Sequence, residues 1–169
     1  AGFNRMNLLT GRTGAVGSRE KDNGQYDVSG PTYAAHGAAM MVKGEVVDNV
    51  GMFADKFFLY YEESDWSARI LRAGYKIYYQ AKGLIYHKES MSMGKTNPMK
   101  VYYLTRNRIL YMRRNSSAGQ LTVFLLFFTF FSFPKAVITY LLKGQFQYLK
   151  SFIKGVCWNF TTSSYSPVC

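Results

Sequence analysis

Three carboxylates stand within four residues at Glu62, Glu63 and Asp65, in the stretch FFLYYEESDWSARILRAG from Phe57 to Gly74. Like charges this close raise one another's pKa, so one of them is a candidate proton acceptor near neutral pH. The same three also suit a helix start, where carboxylates meet exposed N–H groups and the positive end of the dipole. Trp66, Arg69 and Ile70 recur at helical spacing, and Gly74 stands where a left-handed C-terminal cap belongs. The spacing predicts a helix from about Asp65 to Ala73.

The elements around that helix follow from pattern. Within residues 34–53, Gly37, Ala38 and Ala39 are small and Met40, Met41 and Val42 apolar, which reads as a buried strand with His36 just before it. Gly44 to Val50 is a short helix ended by Gly51. Tyr75–Gln80 and Leu84–His87 read as two strands. Met99–Asn115 reads as a helix with arginines along one side. Residues 1–33 are rich in glycine and turn residues, without periodicity, and are expected to form a long flexible loop, as a lid does. Gly11, Gly14 and Gly17 match no phosphate-cradle pattern.

The chain has 169 residues and a net charge of +11, distributed unevenly. Residues 1–87 carry ten Lys/Arg and nine Asp/Glu, a net +1; residues 88–169 carry eleven and one, a net +10. The basic half is also apolar. Residues 121–133 (LTVFLLFFTFFSF) and 136–142 (AVITYLL) flank Pro134-Lys135. A spanning helix needs about 20 apolar residues; a kinked or re-entrant segment, or a helix lying in the interface, fits these runs as well as a span. Lys143, Lys150 and Lys154 then alternate with Phe146, Tyr148, Phe152 and Trp158, the composition of an interfacial amphipathic helix. The partner expected for this half is an anionic membrane surface. No nucleic-acid recognition motif is present, so nucleic acid is not expected as a partner. Cys157 and Cys169 form no metal-site spacing and are expected to be reduced thiols at the cytoplasmic face of the membrane. Residues 161–169 read as a disordered tail.

From about Ala34 to Arg114 the sequence resembles the C-terminal half of the catalytic domain of inverting, GT-A-type family 2 glycosyltransferases, in the bacterial rhamnosyltransferase-like branch that builds cell-surface polysaccharide. The resemblance rests on an ordered set: HGAAMMVKGEVVDNVGMF, then FFLYYEESDW, then AGY, YHKES and finally YYLTRNRILYMRRN. It implies an α/β fold, a partial Rossmann-like GT-A domain over residues 1–115, followed by membrane-associating helices over 116–160 and the tail. It implies that Glu63 is the catalytic base, standing where many relatives carry Asp, with Glu62 and Asp65 beside it. Trp66, Arg69 and His36 would contact the acceptor, and Arg106 and Arg108 a diphosphate or lipid headgroups. His87 would help to bind a divalent ion, Mg or Mn, whose other ligands come from an Asp-x-Asp motif that this sequence does not contain. The substrates implied are a nucleotide-sugar donor and a lipid-linked or saccharide acceptor. With neither that motif nor the strand–helix units that hold the nucleotide, the chain is expected to be a fragment, inactive alone. The competing expectation is a non-catalytic membrane-surface module in which the acidic stretch is purely structural.

Overall fold

The computed structural model describes residues 1–86 and 97–168. The fold is mixed but mostly helical. Among the described residues six α-helices follow in order: α1 (Gly44–Val50), α2 (Glu62–Arg72), α3 (Pro98–Asn115), α4 (Ala118–Phe127), α5 (Phe133–Leu142) and α6 (Phe146–Thr161). The sheet among the described residues is one antiparallel ladder of β1 (Gly30–Thr32) with β2 (Ile77–Tyr79), in the register Gly30 to Tyr79. A parallel, Rossmann-like sheet is not formed by these residues.

Several elements follow their sequence signals. α2 starts at Glu62, three residues earlier than its apolar spacing implies, so that all three acids occupy its first turn while Arg69 and Arg72 occupy its last. Gly74, at φ 88°, closes it: its N–H and that of Tyr75 donate to the Leu71 and Ile70 carbonyls. Asn97 caps α3 by accepting from the Lys100 N–H, with Pro98 in the first helical position. Ser117 and Gln120 form a reciprocal capping box at the start of α4.

Other expectations are corrected. Residues 34–43 form no strand; Ala34 is buried, but Met41 is fully exposed, and the partner of the Tyr75–Gln80 run is β1 instead. Leu84–Tyr86 is not extended into a ladder, and the rest of that expected strand lies outside the described residues. The N-terminal segment is not a free lid. It folds back through bridges from Phe3 to Ala15 and Asn7 to Arg12, and Met6 and Leu8 pack against the core. The tail is also tied down. Arg113 and Arg114 donate to the Thr162 and Ser164 carbonyls, Lys56 Nζ to Ser163 O, and the Lys56 N–H to Ser166 Oγ. Basic side chains here satisfy carbonyls of a segment with no secondary structure of its own.

One core runs through both the acidic and the apolar halves of the chain. It joins Phe57 to Ile109, Leu110 and Met112 of α3, Phe124 and Phe128, and Phe152 of α6. α6 lies closely along α3 because Gly155 meets it: a Cβ there would sit 2.8 Å from Tyr102 O and 3.2 Å from Arg106 N. Asn159, one turn on, donates to Arg106 O at 3.0 Å. Ordinarily an alanine stabilises a helix over glycine by about 1 kcal/mol. At Gly155 the backbone clash reverses that sign, whereas Gly119 in α4 has nothing within 4 Å of an added Cβ. Urea denaturation should therefore find Gly155→Ala less stable than wild type by about 1–3 kcal/mol and Gly119→Ala no less stable.

Candidate functional site

The acidic helix start is reached through a backbone that aromatic residues rarely adopt. Phe58, Tyr60 and Tyr61 have φ of 57°, 65° and 72°. Left-handed conformations in bulky residues cost on the order of 1–3 kcal/mol each and persist only where neighbours over-determine them. The determinant is α3. Asn107, fully buried, donates from Nδ2 to the carbonyls of Phe57, Leu59 and Tyr60 at 2.7–2.8 Å. Arg106 donates to the Lys56 and Phe57 carbonyls, and its Nε binds Asn107 Oδ1 at 2.8 Å. Its guanidinium lies between Tyr103 at 4.6 Å and Trp158 at 4.7 Å. Tyr61 then reaches across to donate to Gly11 O at 2.8 Å. The turn into α2 is thus held by donors that no sequence period reveals.

The three acids are divided by this geometry. Asp65 is wholly buried. It accepts from Arg69 Nε at 3.1 Å, Arg114 Nε at 3.0 Å and Asn115 Nδ2 at 2.8 Å. A carboxylate so held is a structural tie between α2 and α3. Glu62 is half-buried, and its Oε2 is enclosed without a hydrogen-bond partner. Burial raises its carboxyl pKa, a bond from its own backbone N–H opposes this, and the charge of Glu63 adds to the rise. Glu63 remains partly exposed, and its Oε2 accepts from the Gly37 N–H at 3.2 Å. An added Cβ at Gly37 would lie 2.4 Å from that oxygen, so any larger residue there would displace the Glu63 carboxylate from its present position. His36 is exposed beside it. The imidazole stacks on Phe3 at 5.9 Å, and its Nδ1 accepts from the Ala38 N–H. Of the expected site residues, Glu63 is partly exposed and meets the backbone of the turn that starts at the exposed His36.

The others have different positions. Trp66 is buried against Val46 and Ile70, edge-on to Phe53, with its one polar atom donating to Gly51 O at 2.7 Å. Arg69 donates to the Val50 and Met52 carbonyls as well as to Asp65, which ties the end of α1 to α2. Arg106 is occupied as described. Arg108 is buried across Phe124 and Phe128, donating to Thr10 O at 2.5 Å and to Ser132 Oγ at 3.4 Å. Burial and then the neighbouring Arg12 charge lower its pKa to about 10. In this structure the polar atoms of these four side chains are engaged by carbonyls and by the buried carboxylate of Asp65. Asn107, Arg114 and Asn115 are the residues that sequence reasoning missed as organisers. The signal available was the recurrence of Arg-Asn-Arg at 106–108 as Arg-Arg-Asn at 113–115, two turns along one helix.

His87 lies outside the described residues. Among the described residues no group of three His, Cys, Asp or Glu side chains could hold a metal ion. Asp65 and Glu63 point to different neighbours, so the acidic trio does not offer a joint ligand set.

No protein-family model matches the chain, and neither does any curated protein or solved structure.

Glu62 gives a pH test of this division. Its folded-state pKa is raised, so stability is greatest while the group is protonated and falls as pH rises through the folded value. Glu62→Gln removes that loss. Thermal unfolding should find the variant gaining on wild type as pH rises from the acid range to neutrality, with the gap constant above. A gap independent of pH would contradict the buried, unpaired carboxyl.

Proposed function

We propose that this chain is the acceptor-side part of an inverting glycosyltransferase that works at a membrane surface, with Glu63 as its general base. The observation that carries the reading is the fate of the acidic trio. Asp65 is consumed by α3, Glu62 faces inward, and Glu63 is left accessible beside His36 at the mouth of the same turn. That is the position in which the resemblance expects a base. Support from the rest of the chain is compositional: an ordered motif set over about 80 residues, followed by a basic, apolar half with one helical segment long and apolar enough to associate with a membrane.

The chemistry is one displacement. A hydroxyl oxygen of the acceptor attacks the anomeric carbon of the donor sugar while Glu63 takes its proton. The bond from that carbon to the diphosphate oxygen breaks, and the nucleoside diphosphate leaves with the electron pair, inverting the centre. The donor-holding units lie outside these 169 residues in this reading. His36 orients the acceptor or the Gly37 turn against Glu63. The lipid-linked or saccharide acceptor and the nucleotide-sugar donor belong to this proposal, as does placement on the cytoplasmic face of the membrane.

A non-catalytic membrane-surface module is the second reading, favoured by how fully Asp65, Trp66 and Arg69 are explained as structure. Sugar transfer measured on the chain joined to its donor-binding part separates the two. Glu63→Gln should lower turnover by roughly 10²–10⁴-fold, the usual contribution of a positioned base, while leaving thermal stability and donor binding unchanged. Undiminished turnover would remove Glu63 from the mechanism.

A further inference from the structure

Residues Ala118–Leu142 form one continuous helical segment of 25 residues, whose most apolar stretch of 18 residues has a mean hydropathy of 2.0. At 1.5 Å per residue it is about 37 Å long, enough to cross a bilayer core of about 30 Å. We infer that it does not cross, and lies along the surface of one leaflet of an anionic membrane as a flat apolar platform. The inference rests on the membrane association proposed above and decides its geometry.

The first observation is a turn of π-helix at Phe128–Ser132, between α4 and α5. Leu121, Phe124 and Phe128 face the core at steps of three and four residues, and Phe133, Val137 and Tyr140 resume at similar steps. The interval from Phe128 to Phe133 is five, the period of a π-turn. A regular α-helix would rotate the second set by about one residue's angle, roughly 100°, off the packed face. The π-turn restores register, and it falls just before Pro134, which cannot donate to the preceding turn. One face is therefore turned towards protein in both α4 and α5, with the rings of Phe133 and Tyr140 tilted against Phe152 of α6 at 5.5 and 6.2 Å.

The second observation is what would accompany this face into a bilayer. α3 and α6 lie beside it, and α3 carries Arg106, Arg108, Arg113 and Arg114. Arg108 sits at the helix's mid-length, between Phe124, Phe128 and Ser132, and holds the carbonyl of Thr10 in an irregular turn. A span would carry that guanidinium and the irregular backbone of residues 7–11 to bilayer depth. Both are strongly disfavoured there. Lying flat removes the conflict, because the protein-facing side stays out of the hydrocarbon.

The third observation is the opposite face. Val123, Leu126, Phe130, Ile138 and Leu141 are exposed along it. Lys135 is exposed on the segment and Lys143 at its end, positioned to snorkel to anionic headgroups. The net charge of +10 over residues 88–169 favours such lipids over a neutral apolar partner protein. A helix of this kind rests about 5–10 Å into the headgroup–acyl boundary.

The test uses the full chain with Cys157→Ser and Cys169→Ser, carrying Gly119→Cys and Leu142→Cys together. It is reconstituted into sealed vesicles of phosphatidylglycerol and phosphatidylcholine by detergent removal. A membrane-impermeant maleimide is added outside, and labels per molecule are counted by mass spectrometry. A flat helix gives molecules with two labels or none. A spanning helix gives one label per molecule, which overturns the inference. A re-entrant helix also gives two labels, so a fluorophore on Phe130→Cys is added. Quenching by deep rather than shallow brominated lipids would overturn the flat geometry. Failure of the chain to float with these vesicles at all is a separate outcome and removes the membrane association itself; a dimer in solution without flotation would assign the face to a second copy.

Discussion

The carboxylate of Asp65 is the point on which the arrangement depends. It is fully buried, and three donors from two helices converge on it. A buried charge is tolerable only when its hydrogen bonds are complete, and removing one partner strands the rest. Each donor also does something else. Arg69 caps the open end of α1, and Arg114 holds the Ser164 carbonyl. The first turn of α2 is thus fixed relative to α1, α3 and the C-terminal segment at once. Glu63 has its position because Asp65, two residues on, cannot turn outward.

α3 supplies the second constraint through Arg106 and Asn107. The strained turn at Phe58–Tyr61 is held at the core by Asn107, whose Nδ2 lies within 2.8 Å of the carbonyls of Phe57, Leu59 and Tyr60 and shares its two hydrogens among them. A turn in this conformation costs energy that a buried, multiply bonded amide offsets. Strain held in this way at the approach to an accessible carboxylate agrees with a site whose geometry matters more than its stability, and it links the acidic half to the apolar half. α6 packs on α3 through Gly155 and Asn159, so the platform helices and the acid-bearing helix are set by one element.

How much of this could be read from the sequence varied with the range of the interactions. α1, α2 and α3 were legible because their periods, and the stops at Gly51 and Gly74, are local. The run at 34–43 misled because small and apolar residues resemble a strand, yet strand pairing is a long-range fact. The true partner of Ile77–Tyr79 is Gly30–Thr32, three residues that read as turn. Arg106 and Arg108 were expected to meet a diphosphate or headgroups because they lie nearest the catalytic half of the resemblance; nothing local reveals that carbonyls at Lys56, Phe57 and Thr10 would require donors. The grouping of the acids was visible, but their division into tie, buried acid and accessible acid was not. That division depends on Arg114 and Asn115, about 50 positions along the chain.

The account stands or falls on the tie between Asp65 and Arg114. A double-mutant cycle of Asp65→Asn and Arg114→Gln, followed by urea denaturation of the full chain, measures it directly. The account predicts a coupling free energy of about 1–3 kcal/mol, well above the ~0.5 kcal/mol within which independent sites add, and no comparable coupling between Glu63→Gln and Arg114→Gln. Additivity of Asp65→Asn with Arg114→Gln would contradict it.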